Sequence, residues 1–224
     1  MKVSEAVATR KTCRAFLRKS VDANLVKKIL VLSARAPSGG NLQPWRVYAL
    51  VGLARDELVR RVKERRREAP MGEKPEYNIY PPHLSEPYRT RRYRIGEAMY
   101  ATIGIPREDK ERRLKQFEHN WEFFGAPVGL IFTIDRQMQQ GQWADLGMFM
   151  QNIMLLAREE GLHTCPQEAW APWHRIIREY LAIPDNEMVF CGMGIGYGDD
   201  DAPINQLESE RAAIEEFLTI RETT

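Results

Sequence analysis

The stretch Pro37-Ser38-Gly39-Gly40-Asn41-Leu42-Gln43-Pro44-Trp45 lies between a helical pattern and a strand-like one, where a loop is predicted. Glycines and prolines stand here beside the polar side chains of serine, asparagine and glutamine. Because glycine has no Cβ, such a loop can approach a flat polar ligand with backbone and side-chain groups together. The same composition is also typical of an ordinary helix-to-strand turn, so the stretch alone leaves both interpretations open.

Patterns on either side of this loop predict regular elements. Before it, Asp22 is suited to cap a helix that Pro37 would end. The apolar side chains of that helix recur at helical spacing: Leu25, Ile29, Leu32 and Ala36. After the loop, residues 45–51 form an apolar run of strand length, and residues 53–68 return to a helical pattern.

The segment over residues 70–87 is rich in proline and lacks apolar periodicity. It is too long for a connection in a compact domain, which is typical of a lid, a binding element or an arm to a second subunit. We therefore predict one domain over residues 1–224, with residues 70–124 as an insertion that covers the substrate. Further patterns predict helices over 94–103, 107–124, 143–160 and 171–183, and strands over 128–134, 162–165 and 187–194. Such alternation indicates an α/β or α+β sandwich.

The composition gives the chain no electrostatic preference for a polyanion. Lys+Arg number 33 and Asp+Glu 31 in 224 residues, so a net charge of +2 indicates neither nucleic acid nor membrane as partner. The amino terminus lacks a signal-peptide pattern, and no apolar run is long enough for a bilayer. The three cysteines, Cys13, Cys165 and Cys191, are widely spaced, which argues against a disulfide framework. We expect a cytoplasmic protein.

A cluster near the amino terminus combines cations with a hydroxyl group. Arg10, Lys11, Thr12 and Arg14 lie within five residues. Such a set can hold a phosphate through charge-assisted hydrogen bonds, with arginine acting through its planar fork. A solvated basic helix end is the alternative interpretation of a lone cluster.

Other chemical motifs are weak or absent. The glycines over 192–198 have the wrong spacing for a dinucleotide fingerprint, and three aspartates follow them, so we expect these glycines to allow close packing. Cys165 and His163 would share one face of a strand, but free cysteines in a reducing compartment usually pack as apolar residues. No histidine spacing suits a metal. We therefore expect no catalytic side chain, because a bound cofactor would carry the chemistry.

Several motifs in the same order resemble the FMN-dependent nitroreductase family. Arg10-Lys11-Thr12-Cys13-Arg14-Ala15-Phe16 is similar to the family's phosphate motif, and the loop over 37–45 to its flavin loop. Pro166-Gln167-Glu168-Ala169-Trp170 resembles its Pro-x-Glu-Gly-Phe loop, and Gly196-Tyr197 its late Gly-Tyr. The resemblance spans essentially the whole chain. The stretch over 81–133 is most similar to the nitrobenzene reductase branch.

This resemblance implies an α+β fold with a central sheet flanked by helices, and an intertwined homodimer with FMN at two interface sites. Arg14 would lie near the N1–C2=O edge of the flavin and favour its reduced form, and Gln167 with its neighbours would face N5 through backbone groups. The implied cofactor-binding residues are Arg10, Lys11, Thr12, Arg14, Pro37, Ser38, Gly39, Asn41, Gln43, Pro166, Gln167, Glu168 and Arg211. The implied substrate contacts are Gly40, Phe124 and Trp170. Ser209 and Ala169 depart from the family pattern, where Lys and Gly are usual.

The implied activity is the transfer of electrons from NADPH or NADH to a small nitroaromatic or related aromatic acceptor by a ping-pong mechanism. A reductive dehalogenase of the iodotyrosine deiodinase type is an alternative, for which Glu97, Tyr100 and Lys110 supply the residue types. A nucleic-acid module is another, because arginines cluster over 60–67 and 89–94.

Overall fold

The computed structural model describes residues 1–222, and a four-stranded antiparallel sheet forms its centre. The strands are β1 (Trp45–Val51), β2 (Val128–Asp135), β3 (His163–Gln167) and β4 (Glu187–Gly196). Their order across the sheet is β1-β2-β4-β3. The central strands β2 and β4 are buried along nearly their whole length, which fits their near-continuous apolar sequences.

Two helices cover one face of the sheet. They are α2 (Ala23–Ser33) and α6 (Gln140–Glu159). The Asp22 side chain caps α2 by accepting a hydrogen bond from the Asn24 amide at 2.9 Å, as its position predicted. The core on this face joins both helices to inward side chains of β2 and β4 and includes Ile29, Leu130 and Ile153.

The opposite face packs against α3 (Leu53–Arg65), α7 (His174–Leu181) and two 3₁₀ turns over His119–Gly125 and Glu168–Trp173. The core on this side includes Leu58, Trp173 and Ile177, which are all fully or almost fully buried. Helices on both faces of an antiparallel sheet confirm the predicted α+β class.

The remaining helices are α1 (Val3–Thr9) at the amino terminus, and α4 (Tyr88–Thr102) and α5 (Lys110–Glu118) within residues 70–124. Shorter 3₁₀ turns lie at Gly39–Asn41, Pro203–Gln206 and Ile214–Glu216. The part of the chain that is described contains no helix long and apolar enough to cross a membrane.

Several predicted boundaries were wrong for local reasons. The helix expected over 107–124 ends at Glu118, because Phe123 and Phe124 have left-handed backbone angles (φ of 53° for both). The helix expected over 171–183 begins only at His174, where Pro172 has already shaped a 3₁₀ turn. In α2, Leu32 is exposed, and Val26, Ile29 and Ser33 form the buried side instead.

Candidate functional site

The amino-terminal motif runs along the free edge of β3. Thr12 forms a parallel bridge with Thr164, and the Cys13 amide donates to the Thr164 carbonyl at 3.0 Å. Phe16 forms a second bridge, antiparallel, with Gly198. The segment from Arg10 to Arg14 therefore lies beside the strand that leads into Pro166-Gln167-Glu168, so the fold brings two of the predicted motifs together.

Arg10 and Arg211 lie close enough for their charges to interact, although 201 positions separate them in the sequence. Burial lowers the pKa of Arg10, and the positive charge of Arg211 lowers it further. The Arg211 guanidinium is held by the Ser209 side chain at 2.6 Å and the Ser209 carbonyl at 2.9 Å. An anion bound near both guanidinium groups would offset this repulsion, as a bound phosphate does in a phosphate site.

Lys11 and Arg14 complete this cluster in different ways. Lys11 Nζ lies 3.4 Å from a carboxylate oxygen of Asp200, so part of its charge is already balanced. Arg14 is half-buried, and its positive charge acts on the thiol of Cys165 in β3. Its guanidinium is therefore placed on the β3 side of the cluster, beside the third motif.

Asn205 is a structural residue of the site that the sequence did not reveal. It is 2% exposed, accepts from the Arg14 amide at 2.7 Å and donates to the Ala15 carbonyl at 2.8 Å. It also donates to the Asp199 carbonyl at 2.7 Å. Asn205 thereby joins the amino-terminal motif to the segment that carries Arg211. Its only sequence signal is a polar residue within an otherwise unremarkable turn.

The loop over 37–45 forms a 3₁₀ turn with an unusual backbone. Gly40, Asn41 and Gln43 have φ values of 58°, 56° and 50°, in the left-handed region that non-glycine residues rarely adopt. The Ser38 hydroxyl accepts from the Gln43 amide at 3.0 Å. Asn41 and Gln43 are exposed, so their polar groups are available to a ligand. Held strain of this kind is common in binding loops.

Asp145 anchors this loop to α6 and was also missed. The Gly39 amide donates to Asp145 Oδ2 at 3.2 Å, and Asp145 is 6% exposed. A lone acidic residue within the apolar pattern of a helix is the sequence signal that would have pointed to it. Among the hydrogen bonds of residues 1–222, none joins the loop over 38–43 to residues 10–14 or 166–168.

The third motif lies where β3 ends and a 3₁₀ turn begins. Pro166 is partly exposed, and the Gln167 side chain is buried. Glu168 keeps exposed surface, yet desolvation of its carboxyl group raises its pKa. Pro166 and Glu168 thus keep surface on either side of Gln167, which is buried.

The two aromatic side chains predicted to contact the substrate, Phe124 and Trp170, are both largely buried. Trp170 is fully buried, stacked on Phe123 with ring centroids 4.2 Å apart and packed against Gly192, so it belongs to the core and cannot contact a substrate. Phe124 is 9% exposed, which leaves it only an edge at the surface. The expected contact of Phe124 with substrate stays a prediction, as does that of the exposed Gly40.

Alternative chemistries find little support in the side-chain environments. Burial raises the pKa of Cys165 to about 12, so this thiol is neutral and unsuited as a nucleophile. Glu97 is engaged by Arg113 in a two-pronged ion pair at 2.7 and 2.8 Å rather than free for a zwitterion. Within residues 1–222 no three acidic, histidine or cysteine side chains form a set that could hold a metal.

The basic clusters are largely balanced by neighbouring acids. Arg60 pairs with Glu57 and Glu64 at 2.7 and 2.6 Å. In α4, Arg91 pairs with Glu216 at 2.6 Å. A continuous cationic surface for a nucleic acid is therefore not formed at these positions.

Comparison with known proteins gives matches along nearly the whole chain. The nitroreductase family model matches residues 7–197. The chain is 41% identical to a chloronitrobenzene nitroreductase from Comamonas testosteroni over 97% of this chain and 96% of that protein. It is 36% identical to a 4-nitrobenzoate reductase from Pseudomonas putida, over 94% of this chain and 92% of that one.

Solved structures agree with these matches. The fold is similar to that of the FMN and NADPH-dependent nitroreductase NfnB from sphigopyxis sp. strain HMH, with a TM-score of 0.96, 41% identity and 100% coverage of both chains. The FMN-dependent NfnB from Mycobacterium smegmatis, solved with NADPH, gives a TM-score of 0.92 at 25% identity, over 98% of both chains. From these matches and the motifs that the fold brings together, we conclude that this chain belongs to the nitroreductase family.

Proposed function

We propose that this protein is an FMN-dependent oxidoreductase that passes electrons from NADPH or NADH to nitroaromatic acceptors. The observation that carries the proposal is the cationic cluster along the edge of β3. Thr12 bridges Thr164 in β3, and Arg10 lies close enough to Arg211 for their charges to interact. A phosphate held by this cluster would lie near the peptide that follows β3, where a flat ring could be received. Relatives over nearly the full length are nitrobenzene and nitrobenzoate reductases, which supports the same acceptor class.

The residues of this chain fit FMN in three ways. Arg10, Lys11, Thr12 and Arg211 would hold the phosphate, and Arg14 would lie at the N1–C2=O edge, where a cation stabilises the charge of reduced flavin. Backbone groups over 166–168 would face N5. When bound, FMN supplies the hydride chemistry, so the protein contributes binding, orientation and charge. No side chain with an unusual nucleophile or base is needed.

The loop over 38–43 would complete this site from a second copy of the chain. It is exposed, and it lies on the α6 side of the sheet, apart from the phosphate cluster. The same side shows exposed apolar side chains, among them Val31, Leu32 and Met148, which are 63%, 46% and 40% exposed. A homodimer would bury this surface and bring the polar loop of one subunit to the cofactor of the other.

Residues 70–124 would cover the acceptor. Donor and acceptor would both stack on the same face of the flavin, so they cannot bind together, and turnover would follow ping-pong kinetics. Gly40 and the exposed edge of Phe124 would contact the aromatic acceptor.

A visible absorption spectrum of the purified protein tests the proposal. Flavin bands that persist after gel filtration, and that bleach when NADPH or NADH is added without oxygen, are expected. Subsequent addition of nitrobenzene should restore the bands and yield a reduced nitrogen product. A protein that stays colourless after incubation with FMN would overturn the proposal. Release of halide from iodotyrosine, without nitrobenzene reduction, would favour the dehalogenase instead.

A further inference from the structure

The peptide at the end of β3 is tied to the 3₁₀ turn over His119–Gly125 by the side chains of Gln167 and Trp121. Gln167 Nε2 donates to the Asn120 carbonyl at 2.7 Å and lies 3.3 Å from Asn120 Oδ1. Trp121 Nε1 donates to the Ala169 carbonyl at 2.9 Å. The Gln167 side chain reaches from the predicted flavin-facing loop to the turn, and the Trp121 side chain reaches from the turn back to that loop. The two hydrogen-bonded contacts therefore fix both ends of the peptide over 167–169.

The two side chains that make these ties lie in the protein interior. Gln167 is 4% exposed and Trp121 is 2% exposed. Both atoms of Asn120 that face the Gln167 amide are oxygens, which sets the orientation of that amide. Gln167 Oε1 is buried without a protein partner, so the side chain is held only by the two hydrogen bonds that Nε2 donates to Asn120. A buried hydrogen bond constrains its groups strongly, because breaking it leaves the partner unsatisfied.

The beginning of residues 70–124 contacts the chain just after this peptide. The Glu73 amide donates to the Pro172 carbonyl at 2.8 Å, and Glu73 Oε2 lies 3.2 Å from Arg175 Nε. The segment from Gln167 to Arg175 is thus fastened on one side by the beginning of the insertion and on the other by its end. Within residues 1–222, no other side chain hydrogen-bonds to the peptide over 166–169, and Glu168 is exposed.

We infer that Gln167 and Trp121 are positioning residues, which fix the peptide over 166–169 against the flavin edge and thereby set the reduction potential of the bound cofactor. This inference rests on the proposed FMN site. A backbone N–H can donate to flavin N5 in the oxidised form, where N5 has a free lone pair, but not in the reduced form, where N5 carries a proton. Displacing the peptide therefore weakens binding of oxidised FMN more than binding of reduced FMN.

Two variants of the full chain remove the ties separately. Gln167→Met keeps the length of the side chain and removes its donor. Trp121→Phe keeps an aromatic ring in the core and removes the N–H together with part of the indole. Ile177→Val is the matched control, because it trims the same core cluster without touching either hydrogen bond. The measurements are FMN affinity by fluorescence titration, midpoint potential against a reference dye, and thermal unfolding of the apoprotein.

We expect Gln167→Met to raise the dissociation constant of oxidised FMN about tenfold, roughly the effect of one hydrogen bond. With reduced FMN unaffected, the midpoint potential would rise by about 30 mV, since a tenfold change in a two-electron couple corresponds to that shift. Trp121→Phe should shift the potential in the same direction by a smaller amount. Ile177→Val should lower the unfolding temperature and leave the potential unchanged.

The results distinguish a failure of this inference from a failure of the proposed function. A wild-type potential in both variants, or an equal shift in Ile177→Val, would overturn the inference. If Gln167→Met does not fold, the Trp121→Phe potential decides alone. A wild-type protein that binds no FMN would instead refute the proposed function, before any variant is compared.

Discussion

Glu168 makes the candidate site sensitive to pH. Desolvation raises its pKa, so the folded protein binds this proton more tightly than the unfolded chain does. The stabilisation is therefore fully present below the ordinary pKa of a glutamate, and it is lost as the pH rises through the raised value.

We predict that Glu168→Gln makes the apoprotein more stable than wild type at neutral pH and flattens its stability profile from acidic to neutral pH. Urea unfolding over a pH series measures this effect. Glu208→Gln, at an exposed glutamate, is the control and should follow the wild-type profile. A Glu168→Gln profile equal to wild type would show that the carboxyl group loses no hydration on folding.

Arg211 is expected to lower the stability of the apoprotein while strengthening the binding of FMN. Its charge lowers the pKa of Arg10, so the apoprotein bears a repulsion that a bound phosphate would remove. We predict that Arg211→Ala weakens FMN binding by about tenfold or more, since a hydrogen bond to a charged group is worth about 1.5–3 kcal/mol. The apoprotein should unfold at the same temperature or a higher one. Fluorescence titration and thermal unfolding check both parts, with the exposed Arg35→Ala as the control. Weaker binding accompanied by equal loss of apoprotein stability would contradict this explanation.

At the scale of elements, β4 and the turn over Glu168–Trp173 pack so closely that glycine is required between them. A Cβ at Gly192 would lie 2.4 Å from the Trp170 ring, which confirms that the glycines after residue 191 serve close packing.

We predict that Gly192→Ala destabilises the protein by about 1–3 kcal/mol through overpacking. Gly96→Ala is the matched control, because a Cβ there meets open space within α4. It should stabilise the protein by about 0.5–1 kcal/mol, the usual gain when alanine replaces glycine inside a helix. Urea unfolding measures both, and a harmless Gly192→Ala would mean that the Trp170 ring can shift freely.

The sequence predicted elements well where apolar periodicity was long. It placed α6 over 143–160, against the observed Gln140–Glu159, and β2 within one residue. It failed at Phe123 and Phe124, because left-handed angles in bulky residues are imposed by tertiary packing and carry no local signal.

The site residues stay a prediction, and the sequence indicated them where they form contiguous motifs: the amino-terminal basic cluster, the exposed loop and the end of β3. Asp145 and Asn205 were missed because each binds the backbone of a distant segment, at sequence separations of 106 and 191 residues. Trp170 was misplaced because an aromatic residue beside a ligand loop has the same sequence pattern as one in the core.

For the whole molecule, the proposed dimer makes a prediction about mass and cofactor together. We expect the protein to elute at twice its chain mass of 26.0 kDa. Met148→Asp, on the exposed side of α6, should shift it toward the monomer and lower its FMN content, because the loop over 38–43 would no longer reach a partner's site. Light scattering and flavin absorbance measure these two quantities.

Leu53→Asp is the control for that experiment. Leu53 is 87% exposed and begins α3, on the opposite face of the sheet, so it should leave mass and flavin content unchanged. A Met148→Asp monomer that keeps its full FMN content would show that one chain suffices for the cofactor.

The fastening of residues 70–124 at both of its ends has a consequence for how this family can diversify. Glu73 near one end and Trp121 near the other are both hydrogen-bonded to the turn over Glu168–Trp173, so the stretch between them begins and ends at fixed positions. Doubling the length of a flexible loop within such a stretch costs only about 0.6 kcal/mol in closure entropy. If residues 70–124 cover the acceptor as proposed, changes within this stretch would alter which acceptors are admitted without disturbing the residues proposed to hold FMN.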